Sequence, residues 1–245
     1  MNFSDFTAFV REVFNDDKGF IILHDPRFIG NERKYLLDVM DSNFVSSVGE
    51  YVGKFEQAIC EYTGSKYAIA AVNGTSALHI CLLLAGVKAD EEVITQPVSF
   101  IATCNAISYT GAKPVFVDVD RRTMGMSAEK LEDFLKENAR KGADGFTYNN
   151  KTGRRFAAVV PMHTFGHPCD LEGIVEVCER YNIALVEDSA ESIGSYYKGK
   201  HTGLFGKLSA LSFNGNKVIT TGGGGMILTQ DEELAKLAKH ITTTA

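Results

Sequence analysis

The 245-residue chain predicts an α/β fold, a mainly parallel sheet covered on both faces by helices in three α/β/α layers. Three observations carry this expectation. Short apolar runs of strand length recur from Tyr67 onward, each followed by a segment of helical character. The connections between them are brief and rich in Gly, Asn and Ser. The composition, 44% hydrophobic and 23% charged, is that of a soluble globular chain that can bury a sizeable core.

In chain order, Phe6, Phe9, Val10, Val13 and Phe14 recur at helical spacing, so residues 4–16 predict a short helix with Ser4 as its cap. From Lys18 to Phe28 the chain reads as extended, because Pro26 forces Asp25 out of helical geometry. Helical spacing returns at Asn31–Met40 and Glu50–Tyr62. The stretch Ser42–Gly49 between them is small and polar, an ordinary loop or the lining of a site entrance or subunit contact. Tyr67–Val72 predicts a strand, Asn73–Ser76 a polar turn and Ala77–Ala85 a helix. The alternation continues with strand Glu92–Thr95, helix Ser99–Tyr109, strand Pro114–Val119 and helix Ser127–Glu137, capped by Ser127 with Lys130 at its third position. Residues 139–155, broken by Gly142, Gly145 and Gly153, read as an exposed loop or small hairpin without chemistry. Strand Phe156–Val160, helix Asp170–Tyr181 and strand Ile183–Asp188 follow. After a glycine-punctuated segment, 194–206, come strand Leu208–Phe213, strand Met226–Thr229 and helix Asp231–His240.

The net charge of −6, with no cluster of Lys and Arg, argues against a nucleic-acid surface. The N-terminus lacks a signal-peptide pattern and no apolar run approaches a membrane span of ~20 residues, so a cytoplasmic protein is expected. Five cysteines without a Cys-x-x-Cys pair read as small buried hydrophobes. His163, His167 and Cys169 do not complete a zinc set, and no metal is expected.

In an α/β sheet of this kind ligands gather at the C-terminal ends of the strands. Three features fall on that edge. Gly74, Thr75 and Ser76 open a helix, where free N–H groups, the dipole and two hydroxyls either bind an anion such as phosphate or simply cap the helix. Asp188 ends a strand, where a carboxylate could keep a heterocyclic nitrogen protonated. Lys217 precedes the run Gly222–Gly225, which is either a hairpin loop with a solvated lysine or the clearance around a ligand that its amine engages as a Schiff base. Phosphate cup, acid and lysine in that order suggest pyridoxal 5'-phosphate. A dinucleotide fold would need a Gly-x-Gly-x-x-Gly turn, and Ala71–Ser76 holds one glycine.

Six runs in order, Phe44–Gly49, Asn73–Leu78, Pro97–Thr103, His163–Gly166, Glu187–Ser192 and Ser212–Lys217, resemble the DegT-type sugar nucleotide aminotransferases, fold-type-I enzymes dependent on pyridoxal phosphate. The likeness is strongest to the branch that aminates 4-keto sugar nucleotides for nonulosonic-acid pathways. The resemblance implies that Lys217 holds the cofactor covalently and shuttles the substrate proton, and that Asp188 pairs with the pyridine nitrogen. It also implies that Gly74, Thr75, Ser76 and Ser212 bind the phosphate and that Phe100 stacks on the ring. Glu191 stands where the family usually carries Gln or His beside the ring hydroxyl, a departure that leaves its role open. His163 matches a family histidine near the cofactor, or is a packed core histidine. The implied reaction moves an amino group from glutamate to a keto sugar nucleotide, a UDP- or GDP-4-keto-6-deoxyhexose, in a homodimer. A related dehydratase carries histidine at the lysine position, and Lys217 argues against it. Few residues follow Lys217, so residues 1–245 are expected to comprise an N-terminal segment and the large cofactor-binding domain without the family's small C-terminal domain. The alternative is a shortened, inactive relative that only binds cofactor or acts through a partner chain.

Overall fold

The computed structural model describes residues 3–22 and 24–244; Met1, Asn2 and Ala245 at the ends and Leu23 in the expected extended stretch lie outside the described residues. Three helices come first: α1 (Ser4–Phe14), α2 (Glu32–Ser42) and α3 (Glu50–Thr63). The alternating body follows with β1 (Tyr67–Ala71), α4 (Gly74–Leu84), β2 (Glu92–Thr95), α5 (Ile101–Tyr109), β3 (Lys113–Phe116) and α6 (Ala128–Asn138). A hairpin, β4 (Ala139–Lys141) with β5 (Thr147–Asn149), leads to β6 (Phe156–Val160), α7 (Leu171–Tyr181) and β7 (Ala184–Asp188). A second hairpin, β8 (Tyr196–Tyr197) with β9 (Lys200–His201), precedes β10 (Leu208–Ser212), β11 (Gly225–Thr229) and α8 (Glu232–Thr244).

Seven strands form the central sheet in the order β1-β11-β10-β7-β6-β2-β3. Pairings from β10 through β7, β6 and β2 to β3 are parallel. β11 runs antiparallel to both β10 and β1, which leaves β1 pointing the same way as the parallel strands. Both faces are covered because the strand residues are apolar on both sides. Val93, Val160, Val186, Ala210 and Ile227 pack with α4, α5 and α8 residues such as Leu82, Ile107 and Ala238. On the other face Ile94, Val159 and Leu185 pack with Leu131, Leu135, Ile174 and Val177 of α6 and α7. Leu211, Met226 and Leu228 meet Ile59 of α3 on that same side of the sheet. Neighbouring strand residues thus serve opposite cores, which fixes the register.

Several boundaries differ from the sequence expectation for identifiable reasons. The residues Gly74–Ser76 are the first turn of α4 and not a turn before it, because the Asn73 side chain accepts the Ser76 N–H at 2.7 Å and starts the helix there. Ser127 caps α6 as expected, accepting the Lys130 N–H at 3.2 Å. Ser4 does not cap α1: Phe3 occupies the cap position and the Ser4 hydroxyl donates to Asp5. The strand at 114–119 ends at Phe116. Helix α8 runs on to Thr244, its threonine hydroxyls of residues 242, 243 and 244 bonding back to the carbonyls of Ala238, Lys239 and His240. The 139–155 segment is a hairpin and is not wholly exposed, since Thr147 and Asn149 are buried and Asn149 donates to the buried Glu92 carboxylate at 2.8 Å. Cys81, Cys169 and Cys178 are buried hydrophobes as expected, whereas Cys60 and Cys104 are only half-buried.

Candidate active site

Three strand ends and one loop converge at the C-terminal edge of the sheet. β1 delivers the chain to Asn73 and the N-terminus of α4, β7 ends on Asp188, and β10 ends on Ser212. Because β11 returns antiparallel, the intervening residues 213–224 must arch over that same edge, and they carry Lys217. Around the convergence lies a cavity of ≈ 270 Å³ lined by Gly74, Thr75, Phe100, Asp188, Glu191, Ser212 and Lys217, together with Asn73, Met162, Asn214 and Asn216.

At one end the α4 N-terminus abuts β10. A Cβ on Gly74 would lie 2.7 Å from the Ser212 Cβ and 3.0 Å from its Oγ, so only glycine lets the helix start sit against the serine. The first N–H groups of a helix have no partner within it. Asn73 takes that of Ser76, leaving those of Gly74 and Thr75 for an anion beside the Ser212 hydroxyl. Ser76 itself does not line the cavity; its amide serves the cap.

Asp188 is buried. Its Oδ2 accepts the Thr103 hydroxyl at 2.6 Å and its Oδ1 the Ala190 N–H at 3.2 Å. Burial pushes the carboxyl above its ordinary value, opposed chiefly by the Thr103 hydrogen bond. Lys217 Nζ lies 2.8 Å from Glu191 Oε1 and 5.7 Å from the centroid of the Phe100 ring. Glu191 is therefore turned to the lysine.

His163 is not at the cavity. It is fully buried, and its Nε2 lies 3.1 Å from Glu187 Oε2 while its Nδ1 faces the Cys169 N–H at 3.3 Å. Its side chain is packed in the core, and its backbone N–H donates to the Asp188 carbonyl at 3.2 Å. Glu187 points to the face of β7 opposite Asp188 and also accepts the N–H groups of Gly203, Phe205 and Gly206 at 2.8, 2.7 and 2.7 Å. Burial alone would raise this carboxyl, but His163 and the backbone donors win and hold it below its ordinary value. The clasp ties the 203–206 segment beneath the site.

Thr103 and Asn73 were not singled out as functional from sequence. Thr103 lies in the first turn of α5 and looks like any helix threonine; only the fold brings it to Asp188 from 85 positions away. Asn73 carries a readable signal, an Asn directly before a helix.

These residues fit pyridoxal phosphate: a glycine-cleared helix start for a phosphate, a buried acid, an aromatic face and a lysine amine share one cavity. A sequence profile of the DegT/DnrJ/EryC1/StrS aminotransferase family matches residues 27–244. The chain is 43% identical over 210 residues to a GDP-perosamine synthase of Caulobacter vibrioides, covering 86% of this chain and 52% of that protein. It is 42% identical over 221 residues to the GDP-perosamine synthase of Escherichia coli O157:H7, covering 90% and 56%. Among solved structures it resembles an aminotransferase from Psychrobacter cryohalolentis, with a TM-score of 0.76, 34% identity and coverage of 88% and 51%. It also resembles Helicobacter pylori PseC, an aminotransferase involved in pseudoaminic acid biosynthesis, with a TM-score of 0.77, 26% identity and coverage of 91% and 55%. The chain thus spans about half the length of the curated relatives it matches.

Proposed function

The chain belongs to the DegT/DnrJ/EryC1/StrS aminotransferase family, and from that premise we propose that it is the cofactor-binding part of an aminotransferase that uses pyridoxal 5'-phosphate to move an amino group from glutamate to a keto sugar nucleotide. The single observation that carries this reading is the convergence of Lys217, Asp188 and the α4 N-terminus on one cavity. The names of two relatives favour a GDP-linked 4-keto-6-deoxyhexose over a UDP-linked one. The nonulosonic branch finds its support in the likeness to PseC.

When bound, the cofactor supplies an aldehyde for an amine and an electron-withdrawing pyridine ring. The chain's own groups have distinct tasks. The Gly74 and Thr75 N–H groups and the Ser212 hydroxyl would hold the phosphate by hydrogen bonds. The Asp188 carboxylate, oriented by Thr103, would hold a proton on the ring nitrogen. Phe100 would cover one face of the ring, and Lys217 Nζ would take the substrate's proton and return it. Lys217 rather than histidine at this position favours amino transfer over dehydration. The alternative of a cofactor-binding relative without turnover has no support in the site, where the lysine, the acid and the phosphate cup are all present.

The whole protein is read as a cytoplasmic homodimer, with residues 1–245 forming the N-terminal segment and cofactor-binding domain. All five cysteines are free thiols, as suits a reducing compartment. Helices α1 and α2 bury no residue, and Phe6, Phe9, Leu36, Met40, Phe44 and Val45 are exposed, an apolar surface of the kind that a second subunit covers. Adding pyridoxal phosphate to the chain tests the reading: an absorbance band above ~400 nm from a Schiff base is expected and should vanish in Lys217→Ala. No band, or one that survives the substitution, overturns it.

A further inference from the structure

Gln96, the residue after the next beyond Ile94 and the first past the end of β2, is fully buried. Its Oε1 accepts the Met126 N–H at 2.7 Å and the Met162 N–H at 3.2 Å. Its Nε2 donates to the Val98 carbonyl at 2.8 Å and to the Thr164 hydroxyl at 3.2 Å, and that hydroxyl donates onward to the Met124 carbonyl at 2.9 Å. A primary amide has two donors and two acceptor sites, so all of them are taken. Two N–H groups on one side and a carbonyl on the other fix which way the amide points. The partners lie on three connections at the ligand edge, those that follow β2, β3 and β6.

Two of these connections carry residues of the cavity, Phe100 and Met162, while Gln96 itself does not line it. Among the described residues no backbone–backbone hydrogen bond engages residues 97–99. The approach to Phe100 is held instead by the Gln96 contact with Val98 and by the Ser99 hydroxyl, 2.9 Å from that of Thr103. The strand order places β6, β2 and β3 on one side of β7, with β10, β11 and β1 on the other. Gln96 and the phosphate cup therefore lie on opposite sides of Asp188. We propose that Gln96 is a positioning residue that sets the ring-binding half of the cavity, by fixing Phe100 and Met162, and takes no part in holding the phosphate. The proposal rests on the aminotransferase reading above. Without the amide, the Met126 and Met162 N–H groups lose their acceptor in the interior, and their loops must shift to find another.

Gln96→Met keeps the length of the side chain and removes the amide. Calorimetric titration of the full chain compares two probes, pyridoxamine 5'-phosphate, which carries the ring, and inorganic phosphate, which does not. The variant should bind pyridoxamine 5'-phosphate at least about tenfold more weakly than the wild type, and inorganic phosphate within about twofold of it. If Gln96→Met does not fold, hydrogen exchange of the wild type decides: pyridoxamine 5'-phosphate should slow exchange at the Met126 and Met162 amides, and inorganic phosphate should not. Equal weakening of both probes, weakening of neither, or amide exchange that answers to both probes alike or to neither overturns the proposal. A wild-type chain that binds pyridoxamine 5'-phosphate no more tightly than inorganic phosphate refutes the aminotransferase reading itself, whereas a preference that Gln96→Met retains refutes only the role of Gln96.

Discussion

Thr103→Val removes one hydroxyl and keeps the side-chain shape, and its effect can be worked from the geometry of a single contact. The Thr103 hydroxyl lies 2.6 Å from Asp188 Oδ2, with both residues buried, so no solvent replaces the lost donor. A hydrogen bond to a charged group contributes about 1.5–3 kcal/mol, or about 10- to 150-fold in an equilibrium constant. The Ser99 hydroxyl, which donates to Thr103 at 2.9 Å, keeps the Phe100 carbonyl at 3.2 Å as an alternative acceptor and adds little to the loss. Burial already raises the Asp188 carboxyl above its unfolded value of 3.8, and losing the Thr103 donor raises it further. An acid with a raised folded value destabilises the native state once pH exceeds the unfolded value, and not below it. The variant should therefore lose about 1.5–3 kcal/mol in urea unfolding at neutral pH, with a smaller penalty below pH 3.8 where the acid is protonated in both states. Thr103→Ser, which retains the hydroxyl, should show no such pH dependence. An equal penalty for Thr103→Val at both pH values would refute the assignment of Thr103 to Asp188. Binding of pyridoxamine 5'-phosphate should weaken in the same variant, because the acid that holds the ring nitrogen's proton is more often neutral.

Two further substitutions probe the ends of the site. Gly74→Ala places a methyl 2.7 Å from the Ser212 Cβ, an overpacking that costs about 1–3 kcal/mol and closes the space beside the serine hydroxyl; a titration with inorganic phosphate or pyridoxal phosphate should show at least about tenfold weaker binding, set by the loss of one charge-assisted hydrogen bond. Glu187→Gln breaks the buried clasp and should cost about 3–5 kcal/mol at neutral pH. Since the folded Glu187 carboxyl is held below its unfolded value of 4.5, its stabilisation is present above that pH and lost as pH falls through the folded value, so the wild-type and variant unfolding curves should converge in acid.

Much of the site was legible because its residues sit at strand ends and helix starts, which local signals mark. Asp188 closes an apolar run, Gly74 and Thr75 follow one, and Lys217 precedes a run of glycines. The topology then brings them to one edge. What sequence could not show is contact across the fold. Thr103 reaches Asp188 because the start of α5 comes to the end of β7, and nothing about a threonine in a helix announces that. Ser76 shares the helix start with Thr75, and only the folded helix shows that its amide serves the Asn73 cap and that the residue does not line the cavity. For His163 the motif leaves two readings open, and only the fold shows its side chain packed on Glu187, which leaves the strand on the face opposite Asp188, one residue away, as strand geometry requires.

The one antiparallel strand is also what makes the lysine useful. A parallel successor to β10 would need a crossover that carries the chain to the far edge of the sheet before it re-enters, so residues after Ser212 would leave the ligand side at once. β11 instead pairs antiparallel with β10, Ser212 opposite Gly225, and the chain must turn back above the edge where β10 ends. The turn is held from within: the Phe213 N–H donates to the Gly224 carbonyl at 2.9 Å, the Thr221 N–H to the Phe213 carbonyl at 3.0 Å, and the Lys217 N–H to the Asn214 carbonyl at 3.0 Å. Gly225 closes it, since a Cβ there would lie 2.3 Å from the Asn73 carbonyl oxygen. Two close approaches at adjacent residues, Gly74 against Ser212 of β10 and Gly225 of β11 against Asn73, therefore position the phosphate cup and the lysine loop together.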